Sequence, residues 1–337
     1  MIAPSGRATV HDVARLSGVS IKTVSRVVNG AAEVTPATRE KVLAAVAQLG
    51  YVRNPVAHSL RTGVSGTVGV IVDSISDSFF AALASGIEDR LLAAGFSVLI
   101  GSTGRDPVRE RGQVDRMLQQ KVAGLLLVPN ASDHSYLPAA AGDLPVVLID
   151  RSADVADFDQ VGVRDRDGGH AATTHLLRHG HRRIAFLGGT TRLETVANRL
   201  VGYREALAEA GIEPDPRWIR TDCDEAPDAR IAVPQLLALP DPPTAIFSSN
   251  QHASTGAVSV LHRTGRTDVA LVSFGDFDLA ATISPAVSVI HQNPRALAET
   301  AVDRLLQRIS GAGGPAERIV LPVPLIERGS GELRPAG

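Results

Sequence analysis

Two textures of hydrophobic and polar positions divide the chain. Across residues 9–50 apolar side chains recur at helical spacing in three short segments, with no strand-like run. Thr9 followed three residues later by Asp12 is a capping-box pattern, which starts a first helix with Val13, Ala14 and Leu16 expected to pack inward. Gly18 supplies a tight turn. Ser20 caps a second helix that buries Val24, Val27 and Val28. Thr35-Pro36 opens a third, since proline at the first helical position forfeits no hydrogen bond; Val42, Val46 and Leu49 face in and Gly50 ends it. A glycine turn between the first two of three short helices predicts helix-turn-helix geometry, an all-α head.

From Thr67 onward, apolar runs of four to six residues alternate with helical patterns. The runs are Val68–Val72, Phe96–Ile100, Gly124–Val128, Val146–Ile149, Ile184–Leu187, Ala245–Phe247 and Val269–Phe274. Between them lie helical stretches such as Phe79–Ala94, closed by Gly95, and His252–Thr264, closed by Gly265. Apolar strands alternating with helices predict a parallel sheet covered on both faces. The strands are too many for one small sheet, so two doubly wound α/β lobes with a cleft between them are expected, with ligand at the carboxyl ends of the strands. The domains read as a helix-turn-helix unit over 7–53, a linker over 54–66 and a two-lobed domain over 67–329, with Gly311–Pro315 a loop and Gly329–Gly337 a tail.

Composition adds a polarity to this layout. The 337 residues carry a formal net charge of −2, yet residues 1–63 hold eight Lys/Arg and three Asp/Glu, so the head is +5 and the rest −7. A basic head on an acidic body suits a polyanion bound at one end, although a solvated charged face has the same composition. A single cysteine, Cys223, excludes an intrachain disulfide and fits a reducing, cytoplasmic setting. Neither a signal peptide nor an apolar run of about 20 residues is seen, so no membrane partner is expected.

The second helix leaves Ile21, Lys22, Thr23, Ser25 and Arg26 outward at and near its N-terminus, the end that enters the major groove in this motif. Lys22 and Arg26 can donate to guanine O6/N7, and Ile21 can touch a thymine methyl. Thr23, Ser25 and Asn29 suit phosphate oxygens. The competing reading is an ordinary amphipathic helix with a wet outer face.

These residues carry a resemblance. Thr9-Val10-His11-Asp12-Val13-Ala14-Arg15-Leu16-Ser17-Gly18-Val19-Ser20, then Thr23-Val24-Ser25-Arg26-Val27-Val28-Asn29-Gly30, resemble the LacI/GalR family of bacterial transcriptional regulators. The likeness continues through Gly50-Tyr51, Ala57-His58-Ser59-Leu60, Phe79-Phe80 and Gly180–Gly189. It implies a homodimer or higher assembly on a pseudo-palindromic double-stranded DNA operator. It also implies a hinge helix within 54–66, and a sensor domain similar to periplasmic binding proteins of type I. Thr9 and Ser20 join the DNA-binding set. Leu60 holds the place of the leucine that the family wedges into the minor groove, where such wedges kink the duplex. His58 stands where the family most often has Arg.

The same resemblance places effector-binding residues at Phe79, Phe80, Asp150, Arg199, Asn250, Asp276 and Gln292. Carboxylates, amides and an arginine above an aromatic floor suit a sugar-like effector. The family often has Phe-Asp-Asp where Phe274-Gly275-Asp276 stand, which displaces a carboxylate by one position. A phosphorylated sugar, a nucleoside or no effector at all stay open at this point. No cofactor, metal or catalytic residue is expected: His175, His179 and His181 sit around a helix C-terminus, and Asp73–Ser78 is a polar loop without the Gly-Lys-Ser ending of a phosphate cradle. A stand-alone binding protein and a glycoside-processing enzyme are the alternatives to a regulator.

Overall fold

The computed structural model describes residues 8–28, 34–51, 66–131 and 133–335. The chain divides at Gly66/Thr67 into two compact units.

The first unit holds helices α1 (Val10–Ser17), α2 (Ile21–Val28) and α3 (Pro36–Leu49). The Thr9 backbone N–H donates to the Asp12 carboxylate at 3.0 Å and the Asp12 N–H returns to Thr9 Oγ1 at 3.4 Å, completing the capping box. Gly18 ends α1 at φ 68°, and Ser20 Oγ accepts the Thr23 N–H at 3.1 Å. Val13, Val24, Val27, Val42 and Ala45 form the core. Leu16 corrects the sequence reading. The buried stripe of α1 runs through Val10, Val13, Ala14 and Ser17, and Leu16 lies off it, 45% exposed.

The second unit is two α/β lobes. The first contains β1 (Thr67–Val72), α4 (Ser78–Ala93), β2 (Ser97–Ser102), α5 (Pro107–Gln119), β3 (Leu125–Leu127), α6 (Leu137–Ala141), β4 (Val146–Asp150) and β5 (Asp159–Val163). The second contains α7 (Asp165–Arg178), β6 (Ile184–Leu187), α8 (Glu194–Glu209), β7 (Ile219–Arg220), α9 (Ala226–Leu237), β8 (Ala245–Ser248), α10 (Gln251–Arg263), β9 (Ala270–Phe274) and β10 (Ser288–Ile290). The chain then returns to the first lobe for α11 (Pro294–Ile309) and β11 (Arg318–Leu321), and ends in the second with β12 (Leu325–Ile326). Strand orders are β11-β5-β4-β3-β1-β2 and β12-β10-β9-β8-β6-β7, parallel throughout except for the β10–β12 pair. Three crossings between the sheets leave the lobes joined along one side. The polar ends of the strands, which cannot be buried in either core, face each other across a cleft.

Residues 329–335, within the tail read from the sequence, are tied into the second lobe. The Leu271 N–H donates to the Ser330 carbonyl at 3.0 Å and the Ser330 N–H to Ala286 at 2.9 Å. His181 Nε2 donates to the Leu333 carbonyl at 2.8 Å, and Glu332 accepts Ser288 Oγ at 2.8 Å and lies 2.6 Å from His175 Nε2. These polar groups lie in or beside the second lobe's interior, and the strap supplies the partners that burial demands.

Candidate functional site

In the head, Val24 and Val27 turn α2 against its neighbours, and the same register leaves Ile21, Lys22 and Arg26 exposed, with Thr23 and Ser25 half-buried. Thr9 and Ser20 are exposed and serve as helix caps. Asn29, His58 and Leu60 lie outside the described residues, as does most of the expected hinge.

In the second unit, Phe79, Phe80, Asp150, Arg199, Asn250 and Gln292 line one cleft cavity of about 80 Å3, open at one side. Each arrives from a strand end or a first helical turn except Arg199, which sits in the second turn of α8. Phe79 and Phe80 open α4 and pack edge to face, ring centroids 5.1 Å apart. Asp150 ends β4 at φ 69°, a left-handed conformation costly for a residue with a side chain and one that often marks function. Gln292 Nε2 donates to Asp150 Oδ1 at 2.8 Å. Asn250 caps α10 through the Ala253 N–H at 2.7 Å and donates its amide to the Cys223 carbonyl at 3.3 Å.

Arg199 is held on three sides. Its Nε and one terminal nitrogen reach Asp165 Oδ1, both at 2.7 Å, and the other terminal nitrogen donates to the Ser249 carbonyl at 2.7 Å. Its face lies 3.6 Å from the centre of the Phe274 ring. Close packing makes this possible: a Cβ on Gly169 would sit 2.3 Å from the Arg199 carbonyl oxygen, and one on Gly202 would sit 2.0 Å from that of Arg166. Only glycine lets α7 and α8 approach so far.

Asp276 lies beside this group. It pairs with Arg328 at 2.5 Å and lines an adjoining groove with Phe277 and Leu279. Gly275, at φ 87°, takes the strand-end position, and the Gln251 side chain lies over it, 3.0 Å from where its Cβ would be. One residue further on, Asp276 lines the neighbouring groove, which shares Phe79, Gln251 and Gln292 with the cavity.

The sequence reading missed other residues that line the cavity. Arg151 bonds Asp73 at 2.9 Å, lies 5.8 Å above the Phe80 ring and donates to Asn130. Its adjacency to Asp150 was the available signal. Arg105 donates to Asp73 at 3.1 Å and reaches Asp224 of the other lobe at 3.6 Å. Asp73 and Asp77 belong to the loop set aside for lacking a phosphate-cradle ending, and they anchor cleft cations instead. The His175 and His179 rings lie tilted with centroids 4.5 Å apart while His181 is engaged elsewhere; among the described residues no cluster of three or more metal-ligating groups occurs.

Burial sets the electrostatics. Desolvation pushes the Asp150 carboxyl up, opposed by Arg151 and Arg199 and by the Gln292 hydrogen bond. Desolvation likewise pushes Asp165 up to about 6, opposed by Arg199 and assisted by the nearby Asp150 charge. Each cleft arginine already has a carboxylate partner: Arg105 and Arg151 share Asp73, and Arg199 has Asp165. The cavity therefore offers hydrogen-bonding edges and aromatic faces with little uncompensated charge.

Comparison with known proteins places both units. Residues 9–54 match the profile described as bacterial regulatory proteins, lacI family. Residues 65–328 match periplasmic binding proteins and sugar binding domain of LacI family. The chain is 34% identical over 307 residues to the HTH-type transcriptional repressor PurR of Photobacterium profundum, covering 90% of this chain and 92% of that one. It is 32% identical over 326 residues to the ribose operon repressor of Haemophilus influenzae, covering 96% and 98%. Its structure is similar to that of the lac repressor dimer bound to operator and the anti-inducer ONPF, with TM-score 0.86, 30% identity, and coverage of 97% and 99%.

Proposed function

Because the chain belongs to the LacI family of bacterial regulatory proteins, DNA-binding repressors governed by small-molecule effectors, we propose that its cleft binds a neutral, sugar-like effector that controls operator affinity. The observation that carries this reading is the pairing of every cleft arginine with a carboxylate beside the Phe79, Phe80 and Phe274 rings. A phosphorylated sugar would meet cations whose charge is already spent, whereas hydroxyl groups find donors and acceptors at Asp150, Arg199, Asn250 and Gln292 and ring faces find the phenylalanines. The ribose operon repressor among the relatives agrees with a small aldose.

The cleft binds rather than transforms. Asp150 is engaged by Gln292 and Asp165 is held by Arg199, and the relatives are repressors, which supports a binding role. The head of 7–53 contacts the operator through Thr9, Ser20, Ile21, Lys22, Thr23, Ser25, Arg26 and Asn29, and the 54–66 hinge adds His58 and Leu60. The sensor domain of 67–329 carries the dimer contact. Leu99 and Ile100 on edge strand β2, with Val108 on α5, leave apolar surface exposed that a second copy would cover. Its place is the cytoplasm, with the DNA.

Calorimetric titration of the full-length protein with D-ribose, other neutral aldoses, their phosphates and nucleosides tests the ligand class. Fluorescence anisotropy on selected duplexes, with and without the binder, tests the coupling. Tight binding of a sugar phosphate in preference to its parent sugar would overturn the neutral-ligand reading.

A further inference from the structure

The mouth of the cleft carries contacts between the lobes that do not serve the ligand directly. Asp77, the N-cap of α4, accepts the Phe79 N–H at 2.9 Å with one oxygen and aims the other at His252 Nε2, 2.9 Å away on α10 of the opposite lobe. His252 Nδ1 lies 3.6 Å from Glu225, which in turn lies 3.6 Å from Arg105. Arg105 is fastened to Asp73 in the first lobe and reaches Asp224 in the second. Ser78 Oγ completes the row by donating to Gln251 Oε1 at 3.0 Å.

We propose that His252 is a positioning residue that holds the two lobes closed over the effector, so that effector affinity follows the charge on its imidazole. Both ring nitrogens face carboxylates, Asp77 from the first lobe and Glu225 from its own, so the doubly protonated ring satisfies both contacts and the neutral ring only one. The opposing groups are Arg105 and the positive end of α10, on whose first turn His252 sits. The carboxylates prevail. The Asp77 hydrogen bond is the largest influence raising the His252 pKa above its ordinary value, burial opposes it, and the Asp77 and Glu225 charges add to it.

Opening removes Asp77 from the ring and leaves Glu225, so the closed form binds the proton more tightly than the open form. Closure is therefore favoured below the open-state value and loses that support as pH rises through the closed-state value. Effector affinity should fall about fivefold between pH 6 and 8, the effect of one partly exposed charge-assisted contact.

The test follows the His252 ring by NMR in the full-length protein, its signal assigned by its disappearance in His252→Gln. Asp77→Asn preserves the helix cap, since asparagine caps as well as aspartate, and removes the charge. The wild-type ring should hold its proton to higher pH than the ring in Asp77→Asn, and saturating D-ribose should raise it further. D-ribose affinity, measured by calorimetry, should weaken about fivefold more from pH 6 to 8 in the wild type than in His252→Gln, which keeps only the dependence of the cleft carboxylates Asp150 and Asp165. A ring titration indifferent to Asp77 overturns the proposal whether or not a sugar binds, and so does a pH dependence of affinity as large in His252→Gln as in the wild type. The proposal rests on the cleft being the effector site. Failure of that reading shows differently, as sugar binding unaffected by Arg199→Met while the Asp77 dependence of the His252 ring persists.

Discussion

Replacing Arg199 with methionine keeps most of the side-chain stem and removes the guanidinium, leaving Asp165 buried without its partner. Both side chains are under one-tenth exposed in the wild type. Breaking such a pair from one end costs about 3–5 kcal/mol. The Ser249 carbonyl loses its donor, at about 1 kcal/mol more. The deficit must depend on pH. Burial already pushes the Asp165 carboxyl up to about 6, so its protonation stabilises the fold fully below the ordinary carboxylate value of 3.8. That contribution is lost as pH rises through 6. Without Arg199 the window extends upward. Arg199→Met should therefore lose little at pH 5, where Asp165 can take up a proton, and several kcal/mol at pH 8. The chain's single tryptophan, Trp218, is buried in the same lobe and reports urea unfolding directly. Adding Asp165→Asn to Arg199→Met should restore about 2 kcal/mol or more at pH 8, because the orphaned charge is gone. Equal deficits at pH 5 and 8, or no recovery in the double variant, would refute the buried-charge argument.

Gly202→Ala drives a methyl group into the Arg166 carbonyl, so the α7–α8 backbones must part; about 1–3 kcal/mol of stability and much of the effector affinity should go, measured by thermal unfolding and calorimetry. Lys22→Ala and Arg26→Ala should each relax base preference by about 1–3 kcal/mol, while Ser25→Ala weakens all sequences alike, as read from anisotropy titrations over operator variants and salt. Glu332→Gln should lower the thermal midpoint by weakening the charge-assisted bonds to Ser288 and His175, at about 1–3 kcal/mol. Truncation after Arg328 should cost more, because Leu271 and His181 lose strap partners as well.

The apolar strands β1, β4, β6, β8 and β9 were legible because both faces of each are buried, which writes a continuous run into the sequence. β5, Asp159–Val163, was not: it alternates buried and half-buried residues and opens with an aspartate that Arg304 and Arg308 neutralise from α11. β7 and β12 span two residues each, too short for any periodicity. In the cleft, residues at the ends of readable strands were found. Asp276 lies one residue past the strand-end Gly275, the displacement already visible in Phe274-Gly275-Asp276, and lines the adjoining groove. Arg105 had no local signal, since only the topology brings the loop after β2 across from Asp224.

The charges in this cleft do different work in different places. Asp165 and Arg199 lie in one lobe, so opening the cleft leaves their pairing intact and their burial is a standing cost of holding the arginine in place. Asp77–His252 and Arg105–Asp224 span the lobes, so opening breaks them and returns each group to water. Partly exposed pairs of that kind are each worth about 1 kcal/mol or less, so the row at the mouth favours closure by only a small margin. A row that weak adds little bias of its own, so an effector with a modest preference for one form can outweigh it. The coupling is reciprocal: whatever factor the effector applies to operator affinity, the operator must apply to effector affinity. A weak latch therefore suits a switch better than a strong one, because a cleft clamped shut in the absence of ligand would have little left for the ligand to change.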